Sequence, residues 1–167
     1  TILAGVKTSF GLTVYSSKII TAYNLPDGTF LQKNNNIIKI SGGNITQVSG
    51  SELFTTFDEY VGYNILSPTS IQLSITGMSI IPRTDTLLLP MNTPTSISLG
   101  DTSNRDILSI VNSINTEDVI GLLIERDDTY LHIYKDTSYY LSNTEFSQIE
   151  SGKGYTLTPR NDLNISF

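Results

Sequence analysis

Apolar and polar residues alternate through most of this chain. In "LTVYSSKIITAY" (12–23), "NIIKISGGNITQV" (36–48), "SIQLSITGMSII" (70–81) and "YLHIY" (130–134), β-branched and aromatic residues recur at every second position or close to it. A period of two puts one side chain in three-dimensional register with the next but one, which is the signature of a half-buried strand. Turn residues punctuate these runs: "PDG" (Pro26 to Gly28), "NNN" (Asn34 to Asn36), "SGG" (Ser41 to Gly43) and "RDD" (Arg126 to Asp128). Short strands separated by such turns favour an antiparallel sandwich or barrel over strands alternating with long helices. The predicted fold class is therefore mainly β.

One segment has a different period. In "DTSNRDILSIVNSINTED", Ile107, Ile110, Val111 and Ile114 fall at i, i+3, i+4 and i+7. Ser103 or Asn104 can cap its start by accepting from free backbone N–H groups, and Asp106 would sit in the first turn, where the helix dipole favours an acid. The spacing predicts one short amphipathic helix near 104–115, with its apolar stripe on a sheet.

The chain also matches itself. Offset by 92 positions, "FTTFDEYVGYNILSPTSIQLSI" lies over "FSQIESGKGYTLTPRNDLNISF", pairing Phe54 with Phe146, Gly62 with Gly154, Tyr63 with Tyr155 and Ile71 with Leu163. With one inserted residue, "FLQKNNNIIKI" lies over "LLIERDDTYLHIY", both reading as strand, polar turn, strand. The self-match predicts two related antiparallel β units, 1–85 and 86–167, joined near "IIPRTD", the helix belonging to the second.

This repeat bears on the C-terminal "SGKGY". A phosphate-cradling loop needs a helix N-terminus behind it, and an alternating strand follows here. The first unit, "YVGYNIL", keeps only one glycine and the tyrosine. The expected role is structural: Gly62, Gly152 and Gly154 serving a bulge or a positive φ, and Tyr63 and Tyr155 burying their rings with the hydroxyls at the rim.

The order of the second unit is "DTLLLPMN", then "DILSIVNSI", then "GLLIERDDTYLHIY", then "FSQIESGKGYTL". It resembles a β-rich repeat of bacterial surface and secreted proteins and of phage virion proteins, which ends in a Pro-Gly-Lys-Gly-Tyr-Trp-type motif. The resemblance spans about Asp85 to Thr158; Ser151 stands where proline is usual, and Thr156 where an aromatic is usual. It implies a structural or adhesive role.

Composition narrows the partners. A net charge of −6 with scattered Lys and Arg argues against binding nucleic acid. No apolar run reaches the roughly eighteen residues of a membrane-spanning helix, so no membrane span is expected. "TILAGVKTSFG" lacks the pattern of a signal peptide, and Thr1 follows either a removed initiator Met or a cleaved leader. With no cysteine there are no disulfides or thiolate metal sites. Only 16% of residues are charged, with Asn, Ser and Thr in their place, a pattern shared with exported and virion proteins.

Chemistry-bearing residues are sparse. His132 is the one histidine and sits on a strand face with Tyr130 and Tyr134, opposite Leu131 and Ile133. Catalysis or metal binding would need partners for it, so a solvent-facing residue is expected. The acid pairs Asp58–Glu59, Glu117–Asp118 and Asp127–Asp128 read as turn and edge residues. No catalytic residue, cofactor or metal site is predicted, and the chain is read as a non-enzyme. Candidate contact residues are Tyr139 and Tyr140, for which a core role is an equal alternative, together with Asn34, Asn35, Arg126 and Asp127 at the hairpin tips. Three functions stand open. One is a virion structural protein, decorating a capsid or built into a tail or fibre, touching other virion proteins or copies of itself. The second is a carbohydrate-binding or adhesion module at a bacterial surface, extracellular and meeting a cell-surface glycan. The third is a polysaccharide hydrolase.

Overall fold

A computed structural model describes residues 2–15, 18–21, 24–81, 83–100, 104–112, 120–135, 139–141, 146 and 148–167. The chain is mainly β, in several antiparallel sheets, and the described strands close into no barrel.

The first five-stranded sheet contains β1 (Thr8–Gly11), β3 (Phe30–Lys33), β4 (Asn36–Ser41), β5 (Asn44–Ser49) and β7 (Gly62–Leu66), in the order β1-β7-β3-β4-β5. The second contains β9 (Thr95–Ile97), β11 (Ile120–Arg126), β12 (Thr129–Lys135), β13 (Tyr139–Leu141) and β15 (Tyr155–Pro159), in the order β13-β12-β11-β15-β9. Read from opposite ends, the two orders are the same. Two-stranded pairs accompany each sheet. β2 (Lys18–Ile19) pairs with β6 (Thr56–Phe57), and β10 (Arg105–Asp106) with β14 (Gln148–Ile149). β8 (Thr86–Leu89) pairs with β16 (Leu163–Ser166), whereas the matching place in the first unit holds one isolated bridge, Ile2 to Ile71.

The correspondence is residue by residue. Tyr63 opposite Phe10 matches Tyr155 opposite Ile97, and Leu31 opposite Ile38 matches Ile124 opposite Leu131, so the offset is 92 for β7 and β15, 93 for the hairpin strands and 87 for the first strand of each unit. The "NNN" and "RDD" turns close both hairpins with Asn34 and Asp127 at φ 53° and 55°. Short polar side chains tolerate that left-handed conformation better than most. Each unit has its own core. Leu31, Ile38, Ile40 and Ile65 line one, and Leu122, Ile124, Leu131, Ile133 and Leu157 line the other. Alternation therefore placed Leu131 and Ile133 inward and left Tyr130 and His132 exposed.

Three expectations are corrected. The described helix, α1, spans Ile107–Asn112, shorter at its start than the predicted 104–115. Arg105 and Asp106 are drawn into pairing with β14, so Asp106 lies in a strand and not in a first helical turn. Ile107 and Ile110 are buried in the second core; residues 101–103 and 113–119, Ser103 and Ile114 among them, lie outside the described residues. "SIQLSITGMSII" forms no continuous strand, making only bridges at Ile71 and Ser79. Gly62 and Gly154 do not have positive φ; of the motif glycines only Gly152 does, at 77°.

Candidate functional site

The first candidate is the seam between the units, where both Gly-Tyr motifs meet. Gly62 and Gly154 lie back to back. A Cβ on Gly62 would stand 2.8 Å from Tyr155 N and 3.0 Å from Gly154 Cα; one on Gly154 would stand 2.9 Å from Tyr63 N and press on the Phe10 carbonyl. Real Cβ contacts are longer, so close backbone approach is what requires glycine here. Beside them, Gly11 faces Ser98, with no room for a Cβ on Gly11, and the buried Ser98 hydroxyl has no hydrogen-bond partner among the described residues.

Reciprocal hydrogen bonds cross the seam. Gly11 N donates to Gly152 O at 3.2 Å, and Ser98 N donates to Tyr60 O at 3.0 Å. Tyr60 is thus the counterpart of Gly152, and it too is left-handed, at φ 60°. Each hairpin tip also reaches the other unit. Ser96 N donates to Asn34 Oδ1 at 2.6 Å and Asn34 N to Ser96 Oγ at 2.8 Å. Ser9 N donates to Asp127 Oδ1 at 2.5 Å and Asp127 N to Ser9 Oγ at 2.6 Å. Contacts of this i-to-j and j-to-i form define an approximate two-fold axis within one chain.

Each tyrosine hydroxyl works inside its unit, not at the rim. Asp58 N donates to Tyr63 Oη at 2.7 Å, and Glu150 N to Tyr155 Oη at 2.8 Å. Phe10, Phe54 and Phe57 surround the Tyr63 ring at 5.1–6.1 Å, and Phe146 lies 6.0 Å from the Tyr155 ring. Burial pushes both phenols above the ordinary tyrosine range, since a phenolate there would lose its solvation. A cation caps each cluster. Lys33 Nζ lies 5.9 Å over Phe54 and pairs with Glu52 and Asp58, and the Arg126 guanidinium lies 4.9 Å over Phe146 and pairs with Glu150.

The second candidate is the outer face of the first sheet. Phe30, Ile37, Val48 and Leu66 line an open apolar hollow of about 290 Å³, with Lys7 at its edge and Lys39 Nζ 5.6 Å over the Phe30 ring. Val48 is 54% and Leu66 40% exposed. The matching positions of the second sheet carry Leu123, Tyr130 and Thr158, with His132 in place of Lys39. The sequence reading missed this face. Its signal is the doublets "FL" and "II" in β3 and β4, which place apolar residues on both sides of the sheet.

The predicted contact residues divide accordingly. Asn34, Arg126 and Asp127 serve contacts within the chain, and Asn35 is exposed at the hairpin tip. Tyr139 and Tyr140 lie in β13, the outermost strand of the second sheet, and their side chains are outside the described residues. Of the acid pairs, Asp58 accepts from Thr56 Oγ1 and Asp127 from Ser9 N, while Glu117 and Asp118 lie outside the described residues. No family model, no curated protein and no solved structure matches the chain.

Proposed function

We propose that this chain is a non-enzymatic structural protein that works through protein–protein contacts in a larger assembly, a virion above all, as a capsid decoration or a tail or fibre component. The observation that carries this reading is the apolar outer face of the first sheet. Its four large side chains lie together on a chain whose matching second face is more polar. An apolar patch of this kind is a disadvantage in isolation and an advantage at an interface. Of the acid pairs, Asp58 and Asp127 are engaged in turn and seam contacts. Pseudo-symmetry adds two non-identical faces, suited to seating between unlike neighbours.

Cryo-microscopy of purified particles tests the reading. Ordered copies are expected, with Phe30, Ile37, Val48 and Leu66 against a neighbour. Val48→Lys should lower occupancy about tenfold, roughly 1.4 kcal/mol of contact. A chain absent from particles, or one that incorporates Val48→Lys normally, overturns it. Saccharide binding on a glycan array, with no particle incorporation, would favour the adhesion alternative instead.

A further inference from the structure

Each five-stranded sheet has two edges. β1 and β9 lie at the seam, where Ser9 and Ser96 meet the opposite hairpin tips. β5, Asn44–Ser49, is the far edge of the first sheet, and among the described residues nothing pairs with its outer side.

The register fixes which backbone groups are left there. Gly42 and Gly43, at φ 58° and 74°, make a two-residue turn between the paired Ser41 and Asn44. Such a turn leaves its flanking residues as a hydrogen-bonded pair, and bonded and non-bonded pairs then alternate along the ladder. Asn44 and Thr46 are therefore directed at β4, and the N–H and C=O groups of Ile45 and Gln47 point outward. β4 agrees with this: Ile40, which faces Ile45, spends its backbone on the other side, donating to Thr29 O at 2.8 Å and accepting from Gly28 N at 2.8 Å.

Sheet edges in natural proteins are blunted by charge, proline, a bulge or shortness. β5 has six residues, no charge and no proline, and all but Ile45 are exposed. Its one irregularity of register lies beyond Gln47, so Asn44 to Gln47 pair regularly. Charge is also divided unevenly along the chain. Five of the ten basic and five of the sixteen acidic residues lie in 1–85, which leaves the first unit neutral and puts the whole −6 on the second. Two copies can approach through their first units without the repulsion that two second units would meet.

We propose that β5 is a self-association edge, and that its occupant is β5 of a second copy of this chain, paired antiparallel about a two-fold axis. Thr46 faces Thr46 of the second copy at the axis, and Ile45 faces the second copy's Gln47. In this register both outward-pointing residues exchange their backbone bonds, whereas an axis at Ile45 or at Gln47 would use that residue alone. The edge is thus complementary to itself, and strand addition satisfies groups otherwise left to water. The axis runs perpendicular to the sheet. The hollows lined by Phe30, Ile37, Val48 and Leu66 therefore fall on the same side in both copies and form one larger apolar surface.

Sedimentation of the purified whole chain tests this with no particle present, so a failure here leaves the particle reading standing, and the reverse. A dimer is expected. Gln47→Pro removes an outward donor while keeping every bond to β4, and should weaken association at least about tenfold. Thr46→Lys and Thr46→Glu should each weaken it through like charges across the axis, while a mixture of the two should dimerise. Single cysteines check the register, since the chain has none of its own. Thr46→Cys should cross-link two copies on mild oxidation, because facing residues of a non-bonded pair stand about 4.5 Å apart at Cα, within disulfide reach. Asn44→Cys and Ser49→Cys, far from their own counterparts, should not. A monomer at up to about 100 µM, or a dimer that Gln47→Pro and Thr46→Lys leave unchanged, overturns the proposal. Should Gln47→Pro fail to fold, the charge pair and the cross-linking pattern decide.

Discussion

Lys33 and Arg126 hold the same place in the two units, and each caps a tyrosine cluster, yet they do so differently. Arg126 donates from one nitrogen, Nη1, to both Glu150 and the Tyr155 hydroxyl, at 3.1 and 3.3 Å. Lys33 stands farther from its acids, at 3.5 and 3.8 Å, and leaves Tyr63 to three phenylalanines. The outer faces differ in kind, one apolar and one more polar. What the units share is the strand order, the inward apolar positions, the hairpin turns and the seam. At the seam the two halves keep the glycine pair, the tyrosines and the reciprocal clamps, while Gly11 against Ser98 and Asn34 against Asp127 differ.

The glycines at the axis are the place to break that relation. Gly62→Ala and Gly154→Ala should each destabilise by about 3 kcal/mol or more, because the added methyl meets backbone on the opposite unit and nothing flexible can yield. Thermal unfolding would show it, and a large loss at one glycine only would mean that the contact is not mutual.

Smaller effects should follow at the tyrosines. Tyr63→Phe strands the Asp58 N–H, and Tyr155→Phe the Glu150 N–H, at about 2 kcal/mol each. These phenols also set an alkaline limit. Their folded pKa lies above the unfolded value near 10, so their contribution is complete below about pH 10 and is lost as pH rises beyond it. Denaturant midpoints between pH 8 and 11 should fall more steeply for the natural chain than for the double Phe variant.

The smallest expected losses lie at the hairpin tips. Asn34→Ala and Asp127→Ala each remove one side-chain acceptor from a seam amide and should cost about 1 kcal/mol. Equal values would show that the two clamps are interchangeable. A larger value for Asp127 would show that its charge strengthens the bond to Ser9 N.

Much of this was legible from residue order. The hairpins followed from alternation and from the "NNN" and "RDD" turns, and the equivalence of Tyr63 with Tyr155 from the self-match. The reason for the glycines was not legible. One unit read alone leaves bulge or positive φ as the available explanations, and only the approach of the other unit reveals that Gly62 and Gly154 exclude a side chain. Asn34 and Asp127 read as exposed tips for the same reason, although their shared place in the repeat was a signal that both do one job. The segment 70–81 alternates like a strand, but pairing depends on a partner, and periodicity carries no information about whether one is present.

Gly11 opposite Ser98 carries one more consequence. The axis leaves space there for a single side chain, and the second unit supplies it. Two identical copies of that unit would bring serine against serine and could not close, whereas two copies of the first would leave the gap empty. This one contact therefore breaks the two-fold relation: it fits one serine against one glycine, and the two halves are not interchangeable at this position.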